Sequence, residues 1–106
     1  MDPRDHAACI EACDQAATAC AHCAAVCLAE PDVKQLARCI ALTLDGAALC
    51  RLASGFMARG SPAAAMVAGA CAGLCEQVAI ECARHPREAC LTAAQACREC
   101  AQACTS

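Results

Sequence analysis

Trp and Tyr are absent from this 106-residue chain and Phe occurs once. Leu, Ile, Val and Phe together supply only sixteen residues, about 15%. That excludes a core filled in the usual way by large aliphatic and aromatic side chains. Charge of one sign is lacking too, with 8 basic against 11 acidic residues and a net charge of −3. Scattered basic residues without aromatic neighbours exclude a nucleic-acid surface. No run of β-branched residues alternates with polar ones, so strands are not expected. The longest uncharged stretch, Gly60 to Cys75, has sixteen residues rich in Gly and Ala, short of a membrane span. Met1-Asp2-Pro3-Arg4-Asp5 places no apolar segment behind a basic start, and the expected location is the cytoplasm.

What the chain has instead is cysteine: fourteen residues, about 13%, beside thirty Ala. Apolar residues make up 59%, too many for a disordered chain of low charge. The length suits one domain, 1–106, and is too short for two cores. In a secreted chain this cysteine content would suggest a disulfide scaffold, whereas in the cytoplasm it suggests metal or redox chemistry.

Proline and glycine divide the chain into four segments. Asp2-Pro3 is a capping residue followed by Pro at the first helical position. Glu30-Pro31 makes the first break, after which Asp32 and Gln35 form a capping-box pattern. Arg59-Gly60 ends the second segment, and Ser61-Pro62 repeats the cap-then-Pro start. His85-Pro86 separates the third from the fourth. Between the breaks lie mostly good helix formers, so helices are expected over about 3–29, 33–59, 62–85 and 87–104. Links this short make neighbouring helices antiparallel, and an all-α, up-down-up-down four-helix bundle follows.

The cysteine spacing is helical. Cys9, Cys13, Cys20, Cys23 and Cys27 are separated by 4, 7, 3 and 4. Cys39 and Cys50 are eleven apart, and Cys71, Cys75 and Cys82 are separated by 4 and 7. Cys90, Cys97, Cys100 and Cys104 are separated by 7, 3 and 4, repeating the register of Cys13 to Cys27. Such steps return to one helix face, within an arc of roughly 80° at about 100° per residue. Charges such as Glu11, Asp14, Glu76 and Arg98 fall on the opposite faces. The cysteines are therefore expected to line the bundle interior, over about 27 Å from Cys9 to Cys27 at 1.5 Å per residue.

Free Cys is often merely a small buried hydrophobe, but fourteen that displace Leu from one stripe ask for more. Disulfides along a helix are excluded, because side chains one turn apart have Cβ atoms about 5–6 Å apart and a disulfide needs about 3.5–4.5 Å. Pairs across the bundle could still oxidise. The CxxC pairs Cys20–Cys23 and Cys97–Cys100 sit mid-helix, outside the setting of a thiol oxidoreductase. No compact cysteine run suited to an iron–sulfur cluster is present. Soft thiolates select Cu(I) or Zn(II). A four-thiolate zinc site keeps two negative charges, costly in an Ala-lined interior, whereas one Cu(I) per thiolate leaves it near neutral. A tube of thiolates thus suits multiple Cu(I) ions and a store rather than an enzyme. A zinc or general heavy-metal buffer and a thiol redox protein are the alternatives.

The Cys-faced helices, and above all Cys82-Ala-Arg-His-Pro-Arg-Glu-Ala-Cys90 followed by Cys97-Arg-Glu-Cys100-Ala-Gln-Ala-Cys104, resemble the bacterial copper storage proteins. The resemblance spans essentially the whole chain. It implies a four-helix bundle holding many Cu(I) ions on core cysteines, usually as a tetramer, and the lack of a leader is similar to the cytosolic branch. The departure is Ala89, where cytosolic members often place a second His.

Three further residues are candidate ligands. His85 stands three after Cys82, where the first helix has Cys23, and so faces the channel at the Cys27/Cys90 end as an admitting ligand. Met57 lies seven after Cys50 and His6 three before Cys9, both inward at the opposite end. His22 and Met66 lie off the cysteine face. The second helix is apolar nearly all round, with Leu36, Ile40 and Leu44 on one flank and Leu42, Leu49, Leu52 and Phe56 on the other. One flank is expected to pack in the bundle and the other to form a homo-oligomer interface.

Overall fold

The computed structural model describes residues 6–105. Helix α1 spans Ala7–Leu28, and α2 spans Ala37–Ala58 after a 3-10 turn at Val33–Leu36. Helices α3, Ala64–Ala83, and α4, Glu88–Thr105, complete an all-α bundle with no strand among the described residues. Each helix packs on two neighbours, α1 on α2 and α4, and α3 on the same two. The result is a rod of 46 × 18 × 16 Å. Ala fills the helix–helix seams, with Ala16, Ala17, Ala53 and Ala93 fully buried. So small a residue lets helix axes approach at the near end of the usual 8–10 Å range.

The punctuation works differently at each break. At Gly60 the chain turns with φ 62°, a left-handed conformation natural to glycine. Gly60 N–H donates to the Met57 carbonyl at 3.1 Å and Ser61 N–H to the Phe56 carbonyl at 3.0 Å, the two bonds of a Schellman turn. Ser61 Oγ accepts from Ala63 N–H at 3.1 Å, just ahead of α3. Asp2-Pro3 lies outside the described residues. The expected capping box at Asp32 does not form. The Asp32 carboxylate accepts from Arg87 Nη2 at 2.7 and 2.8 Å, and only its backbone carbonyl accepts Gln35 N–H, at 2.9 Å. A charged guanidinium outcompetes a backbone amide for the carboxylate. The link before α2 is consequently pinned to the link before α4.

The two flanks of α2 do not divide into one buried and one exposed. Leu36 is buried and Leu44 is 51% exposed on one flank, while Leu52 is 50% exposed and Phe56 half-buried on the other. The cysteine face takes the bundle axis, and both flanks lie at its margins. Val33–Ala58 and Ala64–Ala83 are each long and apolar enough to cross a bilayer by length and composition alone. In the bundle each spends its cysteine face on the core.

Replacing Gly60 by Ala puts a Cβ on a left-handed residue and is expected to cost about 1 kcal/mol. Thermal melts of the reduced, metal-free protein followed by far-UV circular dichroism should show Tm lower by about 4–8 °C. An unchanged Tm would show that this turn adds nothing to stability.

Candidate metal centre

The helices deliver the cysteines to the bundle axis. Thirteen of the fourteen are buried, twelve of them completely, and Cys104 in the last turn of α4 is half-buried. Their sulfurs form a column. At one end Cys9 and Cys104 are joined as a disulfide, S–S 2.07 Å, across α1 and α4. The other twelve cysteines are free. Next along the axis, Cys13, Cys50, Cys71 and Cys100 give one thiol from each helix, with all four sulfurs within 4.8 Å of one another. Mid-column, Cys20 and Cys97 sulfurs lie 3.4 Å apart and those of Cys50 and Cys75 3.5 Å apart. At the far end Cys23, Cys27, Cys39 and Cys90 form a second group within 4.8 Å. There the Cys23 thiol donates to Cys90 at 3.5 Å, and the Cys39 and Cys82 sulfurs are 3.9 Å apart.

Helix α2 contributes only two sulfurs. Between them, Thr43 is buried and turns its hydroxyl back onto its own helix, donating to the Cys39 carbonyl at 2.8 Å. Gly46 faces Val78 and Cys20. A Cβ there would stand 3.2 Å from Val78 Cγ2 and 3.5 Å from Cys20 Sγ, so its bareness lets α2 close on the column.

Burial keeps the thiols at the far end protonated. Cys27 is pushed up to about 12 by burial and by its bonds with Cys90 and Cys23. Cys23 is raised by its hydrogen bond with Cys82 and by burial, and Cys39 and Cys90 chiefly by burial. In the four-helix group, Cys13 and Cys50 are raised, first by hydrogen bonds with Cys100. Cys100 is lowered to about 4, first by its bond with Cys13. Binding a metal here must therefore displace protons from buried thiols.

The candidate nitrogen and thioether ligands fall at the two ends. His6 and Met57 are both 1% exposed, and His6 Nδ1 donates to the Met57 carbonyl at 3.1 Å. His85 is half-buried at the other end, and its Nε2 lies 2.9 Å from Glu81 Oε2. Glu81 is 5% exposed, and its other oxygen accepts from Arg84 Nη1 at 2.9 Å and faces Arg38 Nε at 3.4 Å. A carboxylate on one imidazole nitrogen fixes the ring and leaves Nδ1 as the nitrogen able to face a metal. Glu81 was not singled out from the sequence, although its position four residues before His85 is the signal that could have found it. Thr43 and Gly46 carried no such signal. His22 is exposed and Met66 is 73% exposed.

The raised thiols set a sign for stability. Where the folded value lies above the unfolded one, the contribution is full below pH 9 and is lost as pH rises toward about 12, since the unfolded chain ionises first. The reduced, metal-free protein should therefore melt at lower temperature at pH 10.5 than at pH 8. A flat Tm would mean that burial does not hold these thiols protonated.

Comparison with known proteins places this geometry. The copper storage protein family matches residues 2–106. A cysteine-rich protein of Bacillus subtilis (strain 168), YhjQ, itself uncharacterised, is 39% identical over 99 residues, 93% of this chain and 92% of that one. The Cu(I)-bound copper storage protein BsCsp3 superposes with a TM-score of 0.92 at 38% identity, covering 95% of each chain. A cytosolic copper storage protein from Streptomyces lividans, carrying five coppers, superposes with a TM-score of 0.93 at 39% identity, covering 98% of this chain and 92% of that one. A whole-length family match and a shared bundle lead to one conclusion: the chain belongs to the copper storage protein family.

Proposed function

We propose that this protein is a cytosolic store of Cu(I), not an enzyme, and that it holds multiple ions on its core thiolates. The ligands are Cys9, Cys13, Cys20, Cys23, Cys27, Cys39, Cys50, Cys71, Cys75, Cys82, Cys90, Cys97, Cys100 and Cys104. His85 serves as the admitting ligand at the Cys27/Cys90 end, with Met57 and His6 as ligands at the other. The observation that carries this reading is the column of buried sulfurs, in which paired neighbours lie 3.4 to 4.0 Å apart and two four-thiol groups each fall within 4.8 Å. Bridging thiolates at that spacing suit a chain of soft monovalent ions, each cancelling one thiolate charge. Sulfurs closed off from solvent favour retention over turnover. The Cu(I)-bound and five-copper relatives support the same choice of metal, and the Streptomyces lividans protein the same compartment.

Zinc is the second reading. It rests on the two four-thiol groups, Cys13/Cys50/Cys71/Cys100 and Cys23/Cys27/Cys39/Cys90, each compact enough to close on one tetrahedral ion. Anaerobic titration of the fully reduced protein against a chromogenic Cu(I) chelator separates the two. Storage requires uptake of roughly one Cu(I) per cysteine ahead of the chelator. Saturation at two ions, with zinc competing, would favour the buffer.

The occupant of the exposed α2 surface is a second copy of the chain, and the resemblance makes a tetramer the expected assembly. Support comes from Leu44 and Leu52, half-exposed on α2, and from a groove at Leu28, Val33, Ile40 and Leu44. Sedimentation should give an oligomer that Leu44→Glu with Leu52→Glu dissociates. A wild-type monomer at high concentration would remove this assignment.

A further inference from the structure

The His6 end of the column is closed by a covalent bond. Cys9 and Cys104, 95 residues apart, form the one disulfide among the described residues. Cys9 is 6% exposed, while Cys104 is half-buried and offers an external thiol its way to the pair. Behind them, Cys13 Sγ lies 3.6 Å from Cys104 Sγ, and the sulfurs of Cys9, Cys13 and Cys104 all fall within 4.8 Å of one another.

One turn outward on the same helix face sits His6. A carbonyl only accepts, so the bond to Met57 places the ring proton on Nδ1. Nε2 is then a bare lone pair, buried and without a hydrogen-bond partner among the described residues. A buried acceptor left unmet costs free energy. An imidazole whose Nδ1–H is fixed by a carbonyl and whose Nε2 is free has the form of a metal-ligating histidine.

We propose that the Cys9–Cys104 disulfide is a redox latch on a soft-metal site of Cys9, Cys13 and Cys104, with the His6 imidazole one helical turn outward. Oxidised, the site offers one thiol; reduced, it offers three thiolates beside that imidazole. The inference rests on the storage reading and adds control of capacity to it. Opening is a thiol–disulfide exchange with a dithiol reductant. A thiolate of the reductant attacks Cys104 Sγ, the Cys9–Cys104 bond breaks, and Cys9 leaves as a thiolate that takes up a proton. The reductant's second thiolate then attacks the mixed disulfide, which frees Cys104 to take the second proton and leaves the reductant as a disulfide. Two electrons and two protons reach the protein. When Cu(I) is present those protons are released as the thiolates bind it. Metal held at this end thus follows the thiol redox balance, while the twelve free cysteines remain as they are.

The test compares two forms of the wild-type protein by anaerobic Cu(I) titration against a chromogenic chelator. One form keeps Cys9–Cys104 oxidised and counts twelve free thiols; the other is fully reduced and counts fourteen. The reduced form should take up about two additional tightly held Cu(I), one for each cysteine released. In a Cys9→Ser, Cys104→Ser variant that gain should vanish under either condition. His6→Gln should weaken the added copper by roughly tenfold in the reduced form. Equal capacity in the two wild-type forms would overturn the latch and leave storage standing. Fourteen free thiols after equilibration in oxidising glutathione buffer would overturn it as well. Failure of both forms to hold multiple Cu(I) would remove the storage reading and the latch with it. The wild-type comparison needs no variant, so a variant that folds poorly does not decide the outcome.

Discussion

Everything in this bundle depends on packing sulfur against sulfur along an axis that four helices share. A thiol is small, weakly polar and polarisable, so a column of thiols can fill a core without the volume of Leu or Phe. The arrangement constrains the residues around it. Positions beside the cysteines must be small enough for the helices to close, and Ala16, Ala17, Ala53 and Ala93 are fully buried there. Where α2 faces Val78 of α3, even a methyl group would press on it at 3.2 Å, and the residue is Gly46. The high Ala content and the scarcity of large side chains are two aspects of that one requirement.

The ends of the column are built from different chemistry. At the His6 end the closure is covalent and apolar, a disulfide beside the buried His6 and Met57. At the other it is ionic: Arg87 clamps Asp32 at 2.7 Å, and Glu81 gathers Arg84, Arg38 and His85. The contrast follows from where the links lie. The α1–α2 and α3–α4 links meet at the ionic end and bring charged residues together, whereas the α2–α3 link at the other end, residues 59–63, carries a single charged residue, Arg59.

The bundle and the inward face of every cysteine were legible in the sequence, because steps of 3, 4, 7 and 11 encode a helix face without reference to any other helix. What escaped was set by relations between helices. Asp32 reads as a cap locally, but its carboxylate is taken by Arg87, 55 residues away. That Cys9 meets Cys104 depends on the axial offset of α1 and α4, which spacing within each helix does not carry. Glu81 is buried because His85 and two arginines converge on it, and its own neighbours in sequence do not announce that. The exposed flanks of α2 were misdivided for a related reason: amphipathic reasoning assumes one wet and one dry side, while a helix apolar nearly all round leaves both margins half-covered.

The complete burial of Cys20, Cys71, Cys75 and Cys97 has a kinetic consequence. On the storage reading, a cargo lodged mid-column would leave along the axis rather than between the Ala-packed helices. Traffic in such a tube is single file. An ion's residence time would then be set by its place in the queue as well as by the strength of its bonds, with the last to be loaded the first to be withdrawn.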